Sequence, residues 1–304
     1  MRLSDLPASI GLDVARDAEF DSLGLLSDDA PRMLAGLYDP RFLARECLPN
    51  PHIACVITSR PLAGAIPERM GLGLADDPKA SFYAVHDYLR ASTHFYWRDD
   101  FESVVSPDAR VHPAATVAPR NVRVGRGAVI EPSAVILERS ILGEEVVIRA
   151  GTVIGAEGFE PKDIGGAFVI VGHEGGVLIR DRVEIQSGSV VCRAVFNGFT
   201  EIGEDSKLGA RVGVSHNVRI GRRCRIAPGA QLTGSVRVGD DVWIGPAATV
   251  SSRVRVGDGA RVSIGAVVVR DVGAGATVSG HFAMPHRAFL ALHRRSLRQA
   301  PGAD

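Results

Sequence analysis

The chain has 304 residues and a mass of 32.2 kDa, long enough for one large domain or two ordinary ones with a real core. Thirty-five basic residues offset thirty-five acidic ones, and the pI of 7.1 excludes a global electrostatic case for binding nucleic acid or an anionic membrane. Four cysteines without a C-x-x-C pair, and no run of 18 apolar residues, exclude a disulfide framework, a zinc ribbon and a membrane-spanning helix.

The first twenty residues lack the apolar core of a signal peptide, so the expected setting is cytoplasmic. Ten of the seventeen aromatic residues fall before residue 102, and 28 of the 34 glycines lie beyond residue 110. An aromatic-rich first third can pack an ordinary core, and ACVITSRPLAG reads as a buried strand there. SFYAVHDYLRA follows as an amphipathic helix, so residues 1–103 are expected to form a small α/β domain. His94 sits in the run STHFYW, which reads as core.

Beyond residue 103 the chain repeats. Aliphatic residues recur every six positions at Val124, Ile130, Ile136, Leu142, Ile148 and Ile154, and again at Ile179, Ile185 and Val191. A third series runs from Ile202 through Leu208, Val214, Ile220, Ile226 and Leu232 to Val268 without a slip. Gly, Ala, Ser or Thr follows the aliphatic at eleven of the twelve places in that series. Neither the helical period of 3.6 nor the strand period of 2 fits. A period of six with one inward aliphatic per unit is the hexapeptide signature of a parallel β-helix, in which three units close a coil of 18 residues. Stability then comes from stacking about eight or nine coils. The expectation is a mainly β protein: a β-helix over residues 104–280, with an α/β domain before it and a helical tail over 281–304. The register breaks twice, over 155–178 and 192–201. Insertions in a solenoid gather on one face and often build the binding site.

Within the uninterrupted coils the single histidine is His216, two positions past the inward Val214, so its side chain is expected at the outer surface near a corner. One coil further on, 18 positions later, stands Gly234. Stacking would set an imidazole base beside a backbone N–H that no side chain covers. That pair suits acyl transfer, with the histidine taking a proton from the attacking amine or hydroxyl and the N–H holding the oxyanion. A hexapeptide-repeat zinc enzyme needs three ligands on the rod, and one histidine does not supply them, so no metal site is expected.

These segments carry a resemblance to bacterial UDP-3-O-acylglucosamine N-acyltransferases of lipid A biosynthesis. GTVIGAEGFE, IRDRVEIQSGSVVCR, SHNVRIG, LTGSVRVG and VSGHFAMPHRAFLALHRR are similar to the family's segments along most of the chain, and YDPRFL stands in place of its N-P-K-Y motif. The resemblance implies a left-handed β-helix, a homotrimer with sites between neighbours, His216 as general base and Gly234 as oxyanion donor. It implies a UDP-linked glucosamine-type sugar as acceptor, with Asp39, Phe42, Phe159, Asn217 and Arg253 as substrate-binding residues. No cofactor is permanently bound in the family. The co-substrate is an acyl (3-hydroxyacyl) thioester of acyl carrier protein, with coenzyme A as the alternative donor. Two other readings share the solenoid: a coenzyme-A-dependent nucleotide-sugar N-acetyltransferase and a non-catalytic scaffold. Departures from the family pattern are Gly209, where an acid usually stands seven positions before the histidine, Arg253 for a second histidine, and Gly36 for an aromatic residue. Asp39 and Phe42 replace an Asn and a Tyr. In the tail, Arg287, Arg294, Arg295 and Arg298 face one acid, Asp304, so Arg287, Arg294 and Arg295 are expected to receive an acidic carrier protein.

Overall fold

The computed structural model describes residues 1–97, 100–280, 282 and 284–299. Five strands build the first sheet: β1 (Asp13–Arg16), β2 (Ser22–Gly24), β3 (Met33–Leu37), β4 (Ile53–Thr58) and β5 (Gly71–Leu74). Their order is β1-β5-β4-β3-β2, with β1 antiparallel to β5 and the others parallel. The central strands are apolar on both faces, as a parallel sheet covered on both sides requires. Helix α1 (Pro78–Ser92) starts at Asp77, whose carboxylate accepts from the Ala80 N–H at 2.9 Å, and continues with Pro78 in its first turn. It buries Phe82, Val85, His86 and Leu89. Phe95 joins this core, but His94 is exposed, so only the aromatic part of STHFYW packs inward.

From Val104 the chain winds as a left-handed parallel β-helix with three sheets of nine, eight and eight strands, all parallel. Leu208 pairs with Ile226 and Ile226 with Ile244, so each regular coil advances the chain by 18 residues. The inward residues, among them Ile136, Ile185, Leu208, Ile226, Leu232 and Ile244, are at most 2 % exposed and form one continuous core. Small or β-branched residues two positions earlier, such as Val212, Val218, Cys224 and Ala230, fill the space between them. The corner three positions past the aliphatic takes a left-handed backbone, even at non-glycine residues such as Arg211 (φ 55°) and Asn217 (φ 60°). Ion pairs between stacked coils, Arg222–Asp240 and Arg223–Asp241, lie at the surface, where solvent screening leaves them little weight in stability.

Both register breaks leave the prism and pack on the first domain. After the strand Val153–Ala156 the chain forms a hairpin of Pro161–Ile164 and Ala167–Ile170, then rejoins the rod at Gly176–Ile179. The second excursion is shorter than the expected 192–201, because Cys192 still belongs to one strand and Phe199 already to the next. Val171 from the first loop and Val195 and Phe196 from the second lie in one buried cluster with Phe82, Tyr83 and Leu89. Burying such side chains stabilises by about 1.5–3 kcal/mol each, so the loops are part of the core of the first domain. Polar contacts add direction. Leu23 N–H donates to Asn197 Oδ1 at 3.1 Å, and Arg219 on the rod grips Asp29 at 2.5 and 2.7 Å. Helix α2 (His286–Gln299) closes the described chain, with Arg287, Arg294 and Arg295 exposed; His281 and Asp304 lie outside the described residues.

Candidate functional site

His216 follows the strand Gly213–Val214 at a corner of the rod, and the next residue, Asn217, makes the left-handed turn. Asn217 is a clamp. Its N–H donates to Thr200 Oγ1 at 2.9 Å, and its Oδ1 accepts from the Val195 N–H at 3.0 Å, tying the corner to the second loop. The same Oδ1 lies 3.1 Å from His216 Nδ1. An amide oxygen can only accept, so it holds a proton on Nδ1 and, in the neutral ring, leaves the lone pair on Nε2.

Gly234 sits one coil away, as the 18-residue spacing requires. A Cβ placed there would lie 2.6 Å from His216 Cε1 and 2.7 Å from Nε2, so any side chain would displace the ring. Ser235 N–H is spent on His216 O and Arg253 N–H on Gly234 O, whereas the Gly234 N–H has no hydrogen-bond partner among the described residues. An acceptor-free N–H beside a histidine, with no side chain between, can receive a developing oxyanion.

The histidine is not at the outer surface as the spacing suggested. It is 7 % exposed, because the first loop folds over it. Gly158 passes so close that a Cβ would meet His173 Nε2 at 2.8 Å and His216 Cδ2 at 3.2 Å. The His173 and His216 rings meet edge to face at 5.5 Å. Glu160 from the same loop reaches His216 Nε2 at 3.2 Å with one oxygen and Lys162 Nζ at 2.7 Å with the other. Burial pushes the Glu160 carboxyl up, but the hydrogen bond from His216 in its protonated form and that from Lys162 outweigh it and hold its pKa at about 2. Helix α1 fixes the loop: His86 Nε2 is 2.9 Å from Gly172 O, and its Nδ1 is 2.6 Å from the Tyr96 hydroxyl. Sequence reasoning missed Glu160 and Lys162, and offered His173 of the inserted loop only as a weaker candidate than His216. The available signal was a cluster of ionisable residues in an otherwise small-residue insertion beside the rod histidine.

His173 is 1 % exposed, its Nδ1 donates to Val171 O at 2.9 Å, and its Nε2 has no partner. Burial, with the nearby His216 adding to it, pushes its pKa down to about 4. The folded chain therefore binds fewer protons than the unfolded chain between pH 6.5 and 4. The stability linked to this group is complete above pH 6.5 and is lost as pH falls toward 4. From pH 7.5 to 5.5 the loss from this one group is expected to be about 1 kcal/mol. Urea midpoints at the two pH values should converge for His173→Gln relative to wild type; an identical pH response would remove the assignment.

The remaining expected site residues spread out. Asp39 is spent on Arg41, by side chain and backbone. Phe42 packs against the cluster of Met33, Leu37 and Cys47. Where Gly36 replaces an aromatic residue, the Tyr38 ring lies over the glycine, since a Cβ there would be 2.2 Å from its hydroxyl. Among the described residues no hydrogen bond, ion pair or ring contact joins Asp39 or Phe42 to His216. Phe159 precedes Glu160 and is 78 % exposed, and Phe168, Val169 and Ile170 on the hairpin are exposed as well. Arg253 is exposed at the corner one coil beyond Ser235. Position 209 admits no side chain, because a Cβ would meet Pro228 N at 2.5 Å and its ring at 2.6 Å.

A family model described as bacterial transferase hexapeptide (six repeats) matches residues 121–156 and 199–234. A UDP-3-O-acylglucosamine N-acyltransferase from Azorhizobium caulinodans is 31% identical over 260 residues, covering 74% of this chain and 72% of that protein. One of the same name from Caulobacter vibrioides is 46% identical over 171 residues, 56% of this chain and 48% of its own. Among solved structures, a UDP-N-acetylglucosamine acyltransferase from Campylobacter jejuni aligns with 19% identity and a TM-score of 0.48, covering 66% of this chain and 85% of that one. No described helix is long and apolar enough to cross a membrane.

Proposed function

Since the chain belongs to the UDP-3-O-acylglucosamine N-acyltransferase family and is an acyltransferase, we propose that it moves an acyl group from a carrier thioester to the amine of a UDP-linked glucosamine-type sugar, as in lipid A biosynthesis. The observation that carries this reading is the contact between the His216 ring and Gly234, with the lone pair of His216 on Nε2 and the Gly234 N–H open. The amine attacks the thioester carbonyl, and His216 Nε2 takes its proton as the carbon–nitrogen bond forms. The Gly234 N–H receives the oxyanion of the tetrahedral intermediate. Collapse breaks the carbon–sulfur bond, and the imidazolium returns the proton to the leaving thiolate.

The exposed apolar side chains of the loop, Phe159 and, on one face of the hairpin, Phe168 and Ile170, suit an acyl chain longer than acetyl, a 3-hydroxyacyl group in this reading. On the acceptor side, Tyr38, whose half-exposed ring lies over Gly36, serves the uracil together with Asp39 and Phe42 of the same segment, while Asn217 and Arg253 flank the reacting corner. The working assembly in this reading is a cytoplasmic homotrimer, with the first domain of one protomer serving a cleft between rods.

The donor is tested through α2. Its exposed Arg287, Arg294 and Arg295 would speed the encounter with an acidic acyl carrier protein and do nothing comparable for coenzyme A. With the carrier as donor, KM is expected to rise with salt and to rise about tenfold in Arg294→Glu/Arg295→Glu. The coenzyme A thioester should be a poor donor for both enzymes. Equal use of both donors, unaffected by charge reversal, would move the donor site away from the tail.

A further inference from the structure

We propose that Glu160 is the acid partner of His216 in this chain, a positioning residue supplied by the inserted loop and not by the rod. The inference rests on the reading of His216 as general base and adds a residue to it. Three observations lead there. Glu160 is the one carboxylate among the described residues within hydrogen-bond reach of His216, with Oε2 at 3.2 Å from Nε2. Both side chains are largely shielded from water, at 9% and 17% exposure, so their interaction is screened far less than a surface pair. And position 209, where an acid stands in the family pattern, is a glycine closed by Pro228, so here the carboxylate beside His216 comes from the loop.

The wiring assigns a role to each atom. Asn217 Oδ1 holds the proton on Nδ1, so the amine's proton goes to Nε2. The new Nε2–H then has Glu160 Oε2 as its acceptor, and the imidazolium has a counter-charge at contact distance. Glu160 gains no proton at any point; it stays ionised, held by Lys162 on its other oxygen. The groups facing this pair are Lys162 and Glu157 of the same loop, His173, and Tyr83 and Arg253 on the adjoining elements. Because α1 anchors the loop through His86 and Gly172, the first domain sets where the acid stands.

The experiment compares full-length wild type, Glu160→Gln, Glu160→Asp and, as a loop control, Asp163→Asn, an exposed carboxylate three residues on. Two readouts are taken: the pH profile of kcat/KM with a UDP-linked amino sugar and an acyl thioester, and the 15N signals of labelled histidine, assigned through His216→Ala. Glu160→Gln is expected to lower kcat about 10- to 100-fold with KM for the sugar within about threefold, as removing an outer partner of an active group typically does. Its acid limb should move toward lower pH, since the reacting centre loses a negative charge, and the His216 Nε2 signal should change because the carboxylate facing it is gone. Glu160→Asp should recover part of both, and Asp163→Asn should match wild type. A Glu160→Gln enzyme above one third of wild-type kcat with profile and signal unmoved overturns the proposal. So does an equal loss in Gln and Asp variants accompanied by a fallen melting temperature, which would make Glu160 a structural residue only. If wild type itself transfers no acyl group to a UDP-linked amino sugar, the functional reading fails, and the Nε2 signal alone decides whether Glu160 pairs with His216.

Discussion

His216→Ala is expected to lower turnover by about 10²- to 10⁴-fold while the melting temperature of the protein stays nearly unchanged. The magnitude is that of losing a positioned general base. The unchanged stability follows from where the residue stands. The rod is held by inward aliphatics such as Val214 and Leu232, and the corner by the Asn217 bonds to Thr200 and Val195, none of which involves the imidazole. Glu160 keeps Lys162 as a partner when the ring is removed, so no buried carboxylate is stranded. Activity is measured with saturating thioester and sugar, and stability by thermal melting. Retention of more than a tenth of wild-type turnover would take His216 out of the mechanism.

Ile226→Asp should strongly destabilise the rod. Ile226 is 1% exposed and stacks between Leu208 and Ile244. Aspartate there loses the transfer energy of the aliphatic side chain and places an unpaired carboxyl in an apolar prism, a combined cost of about 4 kcal/mol or more. Arg225, one position earlier, faces outward in a ladder between Lys207 and Trp243. Arg225→Asp brings a carboxylate beside Lys207 and should change stability by no more than about 0.5 kcal/mol. Urea unfolding of the two variants side by side measures the difference, and similar midpoints would mean that the six-residue register is assigned wrongly.

The parts of the fold that could be read from the sequence are those whose neighbours are set by a fixed spacing. One inward aliphatic every six residues announces the coil, and a separation of 18 puts Gly234 against His216 without any knowledge of the loops. The small domain was readable for a different reason: β4 and α1 carry ordinary strand and helix patterns. What stayed hidden depends on a chain path that no period governs. The stretch between Ile154 and Ile179 is fixed at its ends by the rod, but its course is fixed by α1, through the His86 contact and the burial of Val171. Hence the shielding of His216, the approach of Glu160 and the partnerless nitrogen of His173 were not available from spacing. The same holds for His94, whose exposure at the end of α1 is a matter of which way the chain turns toward the rod.

The insertion has a consequence for chain entropy. In the regular coils a strand meets its neighbour 18 positions away, as Ile202 meets Ile220, whereas Leu142 must wait for Ile179, 37 positions on, and Ile179 for Ile202, 23 positions on. Loop-closure cost grows only logarithmically, at about 0.6 kcal/mol per doubling of length. Roughly doubling the span to carry the hairpin therefore adds about 0.6 kcal/mol, less than burying Val171 returns. The burden is kinetic, because zippering that starts in the uninterrupted coils has to bridge the longer span before the coils on its far side can join. Hydrogen exchange in the intact protein is expected to divide at that seam, with the coils from Ile202 to Val268 opening as one unit and those from Val124 to Ile154 as another.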